Sequence, residues 1–190
     1  MKNTKINIPM AITLLFVLAC NNKENKSNTN QVAVADKDKK AETPSSIDSP
    51  CELISLEDIK TMFVTADFPI ETEDKVLTYP TCIYKWEDGQ VFSVRKIADQ
   101  ELKLTMPSEV LIVMVKGCTE DMYKRSTKVY KQPQEIPNLG DMAVWDSRMS
   151  QLSFLSQGYM FHVHVKVSNE DQENMKKAIE VSNLIATKLK

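Results

Sequence analysis

Residues 21 to about 49 hold no aromatic residue and few apolar ones, and they end in Thr43-Pro44-Ser45-Ser46. A stretch so rich in Asn, Lys, Asp, Ser and Thr cannot bury enough apolar surface to offset the entropy lost on ordering. It reads as a disordered tether, and it confines any hydrophobic core to the residues that follow. Residues 50–190 remain, about 140 positions, the usual size of one domain. A hydrophobic content of 42% is enough for a normal core. No internal repeat and no second linker interrupts them.

The segment ahead of the tether is of another kind. Lys2 and Lys5 lead into about 13 mostly apolar residues that close on Val17-Leu18-Ala19-Cys20. A basic start, an apolar run and small residues at a cleavage site are the parts of a bacterial secretory signal. The Leu-Ala-Cys ending resembles the lipobox of bacterial lipoproteins. That resemblance implies a signal peptide over 1–19, cut just before Cys20, and lipid, palmitate included, on Cys20. Residues 20–49 then form a lipidated tether. The plainer alternative is an ordinary signal peptide that happens to end in Cys, but a cleaved signal needs no Cys there and a lipid anchor does. The apolar run is shorter than the roughly 20 residues of a membrane span, and Pro9 falls within it. More than one acyl chain makes attachment stable. Position 21 is Asn; an Asp there resembles the inner-membrane retention signal of enteric bacteria, so its absence points to the outer membrane. Lys23-Glu24 is similar to the charged tracts of surface-exported lipoproteins, although any hydrophilic tether looks alike. As a random coil, about 30 residues span roughly 30 Å.

Removing residues 1–19 takes away two lysines and no acids, leaving 22 basic against 26 acidic residues, net −4. A mildly acidic chain argues against a nucleic-acid partner, which favours a basic face.

Ser55-Leu56-Glu57-Asp58 reads as a helix start, with Ser55 as N-cap. Leu56, Ile59, Met62 and Phe63 share a face, and the helix ends near Phe63 or Val64. Thr81–Trp86 alternates, Asp88-Gly89 is a tight-turn signal, and Gln90–Ile97 alternates again, which predicts a β-hairpin turning at Asp88-Gly89. Residues 102–127 carry two signals. Val110–Val115 is a continuous apolar run of high strand propensity. Leu111, Met114, Val115, Cys118 and Met122 keep helical spacing, and Pro107-Ser108-Glu109 suits a first turn. Helix over 108–127 is the preferred reading, weakened by Gly117. Lys131–Pro137 is a loop. Met142–Trp145, Leu152–Ser156 and Tyr159–Val167 are strands, with Gln157-Gly158 turning between the last two. Ser168-Asn169-Glu170-Asp171 opens the final helix, whose buried stripe is Met175, Ala178, Ile179, Ser182, Ile185 and Leu189. Lys188 and Lys190 at its end complement the helix dipole. The sum is an α+β fold: one antiparallel sheet carrying helices on one face, including a long C-terminal helix.

Beyond Cys20 the cysteines are Cys51, Cys82 and Cys118. An oxidising compartment favours a disulfide, and three cysteines allow three pairings that spacing cannot choose between. Pro50-Cys51-Glu52-Leu53-Ile54-Ser55 ahead of a short helix, Cys82-Ile83-Tyr84 on a strand, and Ile136-Pro137-Asn138-Leu139-Gly140-Asp141-Met142-Ala143-Val144-Trp145 together resemble a group of uncharacterised bacterial lipoproteins. That group has a Gly-Leu-Gly-Asp-x-Ala-aromatic segment, then a strand pair and a long final helix. More distantly the chain is similar to LpqN-type lipoproteins and the extracellular sensor domain of PknH-type kinases. The resemblance covers nearly all of 50–190. It implies a Cys51–Cys82 bridge, helices on an antiparallel sheet, no catalytic residues, and loosely a ligand-binding or sensing role. Asn138 replaces the first Gly of the group's pair and tolerates positive φ better than most residues. Cys118 has no counterpart and reads as a small buried hydrophobe.

Sharper sites do not assemble. His162 and His164 share one strand face, but a metal needs three or four ligands, so exposed strand histidines are the better reading. Asp141 reads as a turn cap bonding backbone N–H groups, with no base or nucleophile beside it. Glu71-Thr72-Glu73-Asp74 lacks the spacing and Gly of an EF-hand and reads as a solvated loop. Trp86, Trp145, Tyr84 and Tyr159 line either a pocket or the core. No Gly-x-Ser-x-Gly, phosphate loop, His-Glu-x-x-His or dinucleotide fingerprint is present. The reading is a lipid-anchored envelope protein, not an enzyme and without cofactor or metal. It binds a small hydrophobic ligand or an envelope partner. A structural part in an envelope complex is the alternative, and an enzyme acting on envelope substrates a further one.

Overall fold

The computed structural model describes residues 47–63, 65 and 67–190. The signal peptide, Cys20 and nearly all of the tether lie outside the described residues. No helix among the described residues is long and apolar enough to cross a membrane.

Seven strands form one antiparallel sheet in the order β1-β2-β3-β7-β6-β5-β4: β1 Glu71–Val76, β2 Pro80–Ile97, β3 Gln100–Lys116, β4 Pro133–Glu135, β5 Met142–Asp146, β6 Gln151–Ser156 and β7 Tyr159–Lys166. With α1 Leu56–Phe63, α2 Glu120–Thr127 and α3 Asp171–Lys188, the class is α+β as expected. The sheet is two meanders, β1–β3 and β4–β7, sewn together where Glu109–Lys116 pairs with Lys166–Tyr159.

The helices do not all share a face. Alternation along β2, β3, β6 and β7 sends Cys82, Tyr84, Ile112, Met114, Phe154, Phe161 and Val163 to one side, where Ile59 of α1 and Ala178, Val181 and Ile185 of α3 cover them. Phe154 and Phe161 stack there at 5.1 Å. The other side carries Val115, Val144, Leu155 and Met160, and α2 covers them with Tyr123. This second layer was not foreseen, because residues 108–116 were read as helix.

Three local differences have physical causes. First, Asp88-Gly89 is a bulge inside one long strand and not a turn. Trp86 opposes Ser108 and Val91 opposes Met106, so four residues, 87–90, face Pro107 alone. Asp88 organises the bulge: its carboxylate accepts from Trp86 Nε1 (2.7 Å), Ser108 Oγ (2.8 Å) and Gln90 N (3.0 Å). The real turn is Ala98-Asp99, with Ala98 at φ 53°. Second, 100–116 is a strand, and only Glu120–Thr127 is helical. As a central strand, β3 is packed on both faces, and such strands read as continuous apolar runs. Third, the stripe of α3 is rotated: Asn174 and Val181 are fully buried, while Met175 and Ile179 are half-buried. Asn174 Oδ1 accepts from Val167 N and Ser168 N, and its Nδ2 donates to Ser168 O. One side chain thus closes the corner between β7 and α3.

Beyond the bulge, residues 91–106 form a two-stranded ribbon that, among the described residues, pairs only with itself. Asn169 fastens its base, accepting from Phe92 N and donating to Phe92 O. The outer edges of the sheet are guarded: β1 is largely exposed and carries four charged residues among its six, and β4 is three residues long with a proline.

Cys51 and Cys82 are bridged, and Cys118 is a buried free thiol. Cys51 sits in a 3-10 turn, Pro50–Glu52, closed by a capping box between Ser49 and Glu52. Ser49 Oγ donates to Asp74 of β1 at 2.7 Å, and the Tyr84 hydroxyl donates to Ile54 O. The segment ahead of α1 is therefore bound to the sheet by a covalent link, these two hydrogen bonds and an ion pair from Lys116 of β3 to Asp48 at 2.7 Å. The Ser55 cap of α1 is present, with Asp58 N donating to Ser55 Oγ. Lys188 reaches Asp58 at 2.7 Å and Lys177 donates to Met62 O, which joins α3 to α1.

Candidate functional site

An open groove of about 810 Å³ lies between α2 and the segment from Pro133 to Val144. Thr119 caps α2 by accepting from Met122 N at 3.3 Å, and Glu120 and Asp121 occupy the first turn. Tyr123 anchors the helix from below: it is buried, and its hydroxyl donates to Ser153 O at 3.1 Å. The opposite wall is the Ile136–Asp141 segment. Ile136 N donates to Ala143 O, Asp141 N donates to Leu155 O at 2.7 Å, and Ile136 and Leu139 are buried in the main core. Asn138 (φ 61°) and Gly140 (φ 58°) both take the left-handed conformation this path needs. The wall is thus pinned at four points. Lys124, Lys128, Glu135 and Asp141 stand on the rim.

Asp141 does not cap its turn. It is exposed, and among the described residues its carboxylate accepts no hydrogen bond; its backbone N–H does the fastening.

Beneath α2 lies a network that the sequence reading missed. The register places His162 opposite Ser153. His162 Nδ1 contacts Ser153 Oγ and lies 3.3 Å from Gln151 Nε2; Nε2 is 3.4 Å from Ser126 Oγ of α2. Tyr130 OH meets Ser153 Oγ and accepts from Gln151 Nε2 at 2.6 Å. Burial pushes His162 below its ordinary value and the Tyr123 and Tyr130 hydroxyls above theirs. The usable signal was the period-2 placement of Ser153 and His162 on adjacent strands. Ser126 and His162 are a nucleophile and a base by type. Their separation is long for a hydrogen bond from a hydroxyl, and Nδ1 is oriented by a hydroxyl and an amide and not a carboxylate. The network instead props α2 and the following chain on the sheet.

His164 shares the face of His162, as expected, but sits apart from it. Its Nδ1 is 2.8 Å from Met149 O, and its Nε2 is 3.8 Å from Glu109. Neither histidine is exposed as expected: both are half-buried, His162 the more deeply. Among the described residues, no group of three or more His, Cys, Asp or Glu side chains could hold a metal ion. Glu71, Glu73 and Asp74 lie on edge strand β1 and not in a loop, where Glu73 pairs with Lys75. Tyr84, Trp86 and Trp145 are core, Tyr159 packs on Phe161, and none of the four lines the groove.

The depressed His162 value has a consequence for stability. A histidine that is harder to protonate when folded keeps its full contribution above its unfolded value of 6.5, and that contribution is lost as pH falls below 6.5. Urea midpoints measured on both sides of that value should fall on the acid side. A His162→Gln variant should fall less steeply. Equal slopes for the two proteins would refute the assignment.

The chain matches no protein-family model, no curated protein and no solved structure.

Proposed function

We propose that this chain is a lipid-anchored lipoprotein of the bacterial envelope, on the outer membrane, whose domain binds and does not catalyse. The observation that carries the binding reading is the groove beside α2: roomy, fixed on both walls, apolar at Ile136, Met142 and Val144, and ringed by charges. Ligand sites combine such a pre-formed apolar floor with a few placed polar groups. The anchor rests on the residues ending at Cys20, and the tether on the composition of 21–49. The likeness of the Cys51, Cys82 and Leu139-Gly140-Asp141 segments to the uncharacterised lipoprotein group supports the same reading. The ligand is a small hydrophobic molecule or an apolar segment of an envelope partner.

Two measurements test it. Metabolic labelling with a clickable fatty acid should mark the wild type and leave Cys20→Ala unmarked; equal label would refute the anchor. Protein purified from solubilised envelope should carry a small molecule or a cross-linked partner that Thr127→Trp, which fills the groove, excludes. Retention unchanged in that variant would refute the groove.

A second reading, a structural component of an envelope complex, is favoured by the ribbon of residues 91–106. Val94, Ile97, Leu102 and Met106 are all exposed on it. A two-stranded ribbon alone is marginal in water, so it gains most from a neighbour.

A further inference from the structure

We propose that the surface formed by the end of α2 and the β5–β6 connection docks onto a bilayer carrying anionic lipid. Val129, Lys131, Arg148 and Met149 line one recess of about 250 Å³, with Asp146 at its base. Val129 is 64% exposed and Met149 45%. Lys128, Lys131 and Arg148 are exposed as well. Among the described residues, none of these three cations enters an ion pair, whereas neighbouring Lys124 is held by Glu120.

The acid in the recess does not neutralise them. Asp146 is 1% exposed, and its carboxylate accepts from the backbone N–H groups of Lys131, Gln132 and Met149. It fixes Met149 directly and the chain that follows Val129 at Lys131, and His164 secures the carbonyl of Met149 from the other side. The patch thus sets two exposed apolar tips, one of them braced, among three unpaired cations, on a chain whose net charge without residues 1–19 is −4.

That combination selects its partner. Cations of this kind sit at the level of lipid phosphates, and apolar tips enter the acyl boundary beneath them. A nucleic acid would engage the cations but offers no apolar layer to Val129 and Met149. An acidic protein face would be likewise indifferent to the tips. Docking here would also bring the groove, which shares Lys128 with this surface, to the edge of the membrane.

The test uses residues 20–190 with Cys20→Ala, so that no acyl chain contributes and failure of docking is distinguishable from failure of the anchor. The chain is co-sedimented with vesicles of phosphatidylcholine, alone or with about one-third phosphatidylglycerol. Wild type should prefer the anionic vesicles, and added salt should weaken the preference. Lys131→Glu/Arg148→Glu should weaken it at least ~20-fold, the order expected for two surface cations reversed. Val129→Ser/Met149→Ser should weaken it about fivefold, for the apolar area withdrawn. Lys176→Glu/Lys190→Glu changes net charge equally, on and just beyond the helix that covers the opposite face, and should have less than about twofold effect. The proposal is overturned if wild type shows no preference or if the α3 variant weakens binding as much as the recess variant. It is also overturned if the serine variant binds like wild type while duplex DNA competes for the protein.

Discussion

Replacing Cys51 by serine is expected to lower the unfolding midpoint by about 10 °C. Cys51 and Cys82 are 31 residues apart in sequence and close a loop that contains α1, Pro69 and edge strand β1. The chain-entropy estimate for a loop of that length is about 3–4 kcal/mol, and a domain of this size shifts by about 2–4 °C per kcal/mol. Other contacts hold the loop as well, namely Ile59 in the core, Lys188 and Lys177 on α1 and the β1–β2 ladder, so the expected result is a lowered midpoint and not an unfolded chain. β1 is almost wholly exposed, and the 3-10 turn meets the sheet through Ser49, Cys51 and the Ile54 carbonyl. Cys118→Ser is the matched control. That thiol is buried, its pKa raised by burial, and its sulfur makes only weak hydrogen bonds, donating to the Thr119 carbonyl at 3.5 Å and accepting from the Tyr123 backbone. It should cost only about 1 kcal/mol, a midpoint drop of about 2–4 °C. Thermal unfolding of both variants, with non-reducing peptide mapping of the wild type, decides the matter. A main peptide containing Cys118 in a bridge would contradict it.

Gly140→Ala should be nearly as damaging, although it adds one methyl group. The backbone there has φ 58°, and a Cβ would stand 2.3 Å from the Leu155 carbonyl oxygen. That oxygen is main chain of β6 and accepts from Asp141 N, so the contact cannot be relieved by a side-chain rotation. Backbone strain and overpacking each cost about 1–3 kcal/mol, and together they should move the midpoint by roughly 5–15 °C. The same substitution should distort the groove wall. Asn138→Gly, at φ 61° and two residues away, is the contrast: glycine is at ease there, and stability should change by less than about 1 kcal/mol. A tolerated Gly140→Ala would mean that the wall is not pinned to β6.

Much of the fold was legible because local chemistry and final structure agree. Ser55 with Asp58, the Gln157-Gly158 turn, the strands around Trp145 and Phe161, and the acidic opening of α3 each carry their own signal. The failures share one cause. Asp88-Gly89 has the conformational freedom of a turn, and a bulge needs the same freedom; only the length of the partner strand distinguishes them. The run over 110–115 fits a buried strand and a buried helix alike, and neighbours on both faces decide. The candidate site was less legible still. Its walls lie on α2 and on the chain leading into β5, and His162 owes its buried environment to Ser126, Tyr130 and Ser153 on three other segments. The Asn138-Leu139-Gly140-Asp141 segment could be noticed in sequence, but that its backbone and not its carboxylate does the fastening could not.

The seam between the two meanders also sets the order in which the molecule can be completed. β1–β3 can close early, since each of its pairings is between neighbours in the chain. β3 then presents a bare edge, with the apolar run 110–115 along it, until the far meander has been made. Lys116 must wait for Tyr159, and Glu109 for Lys166. Long-range pairing of this kind slows folding, and an open apolar strand edge is a template for the wrong partner. A chain halted before Tyr159 would keep that edge permanently, so the β4–β7 meander acts as the resident guard of β3.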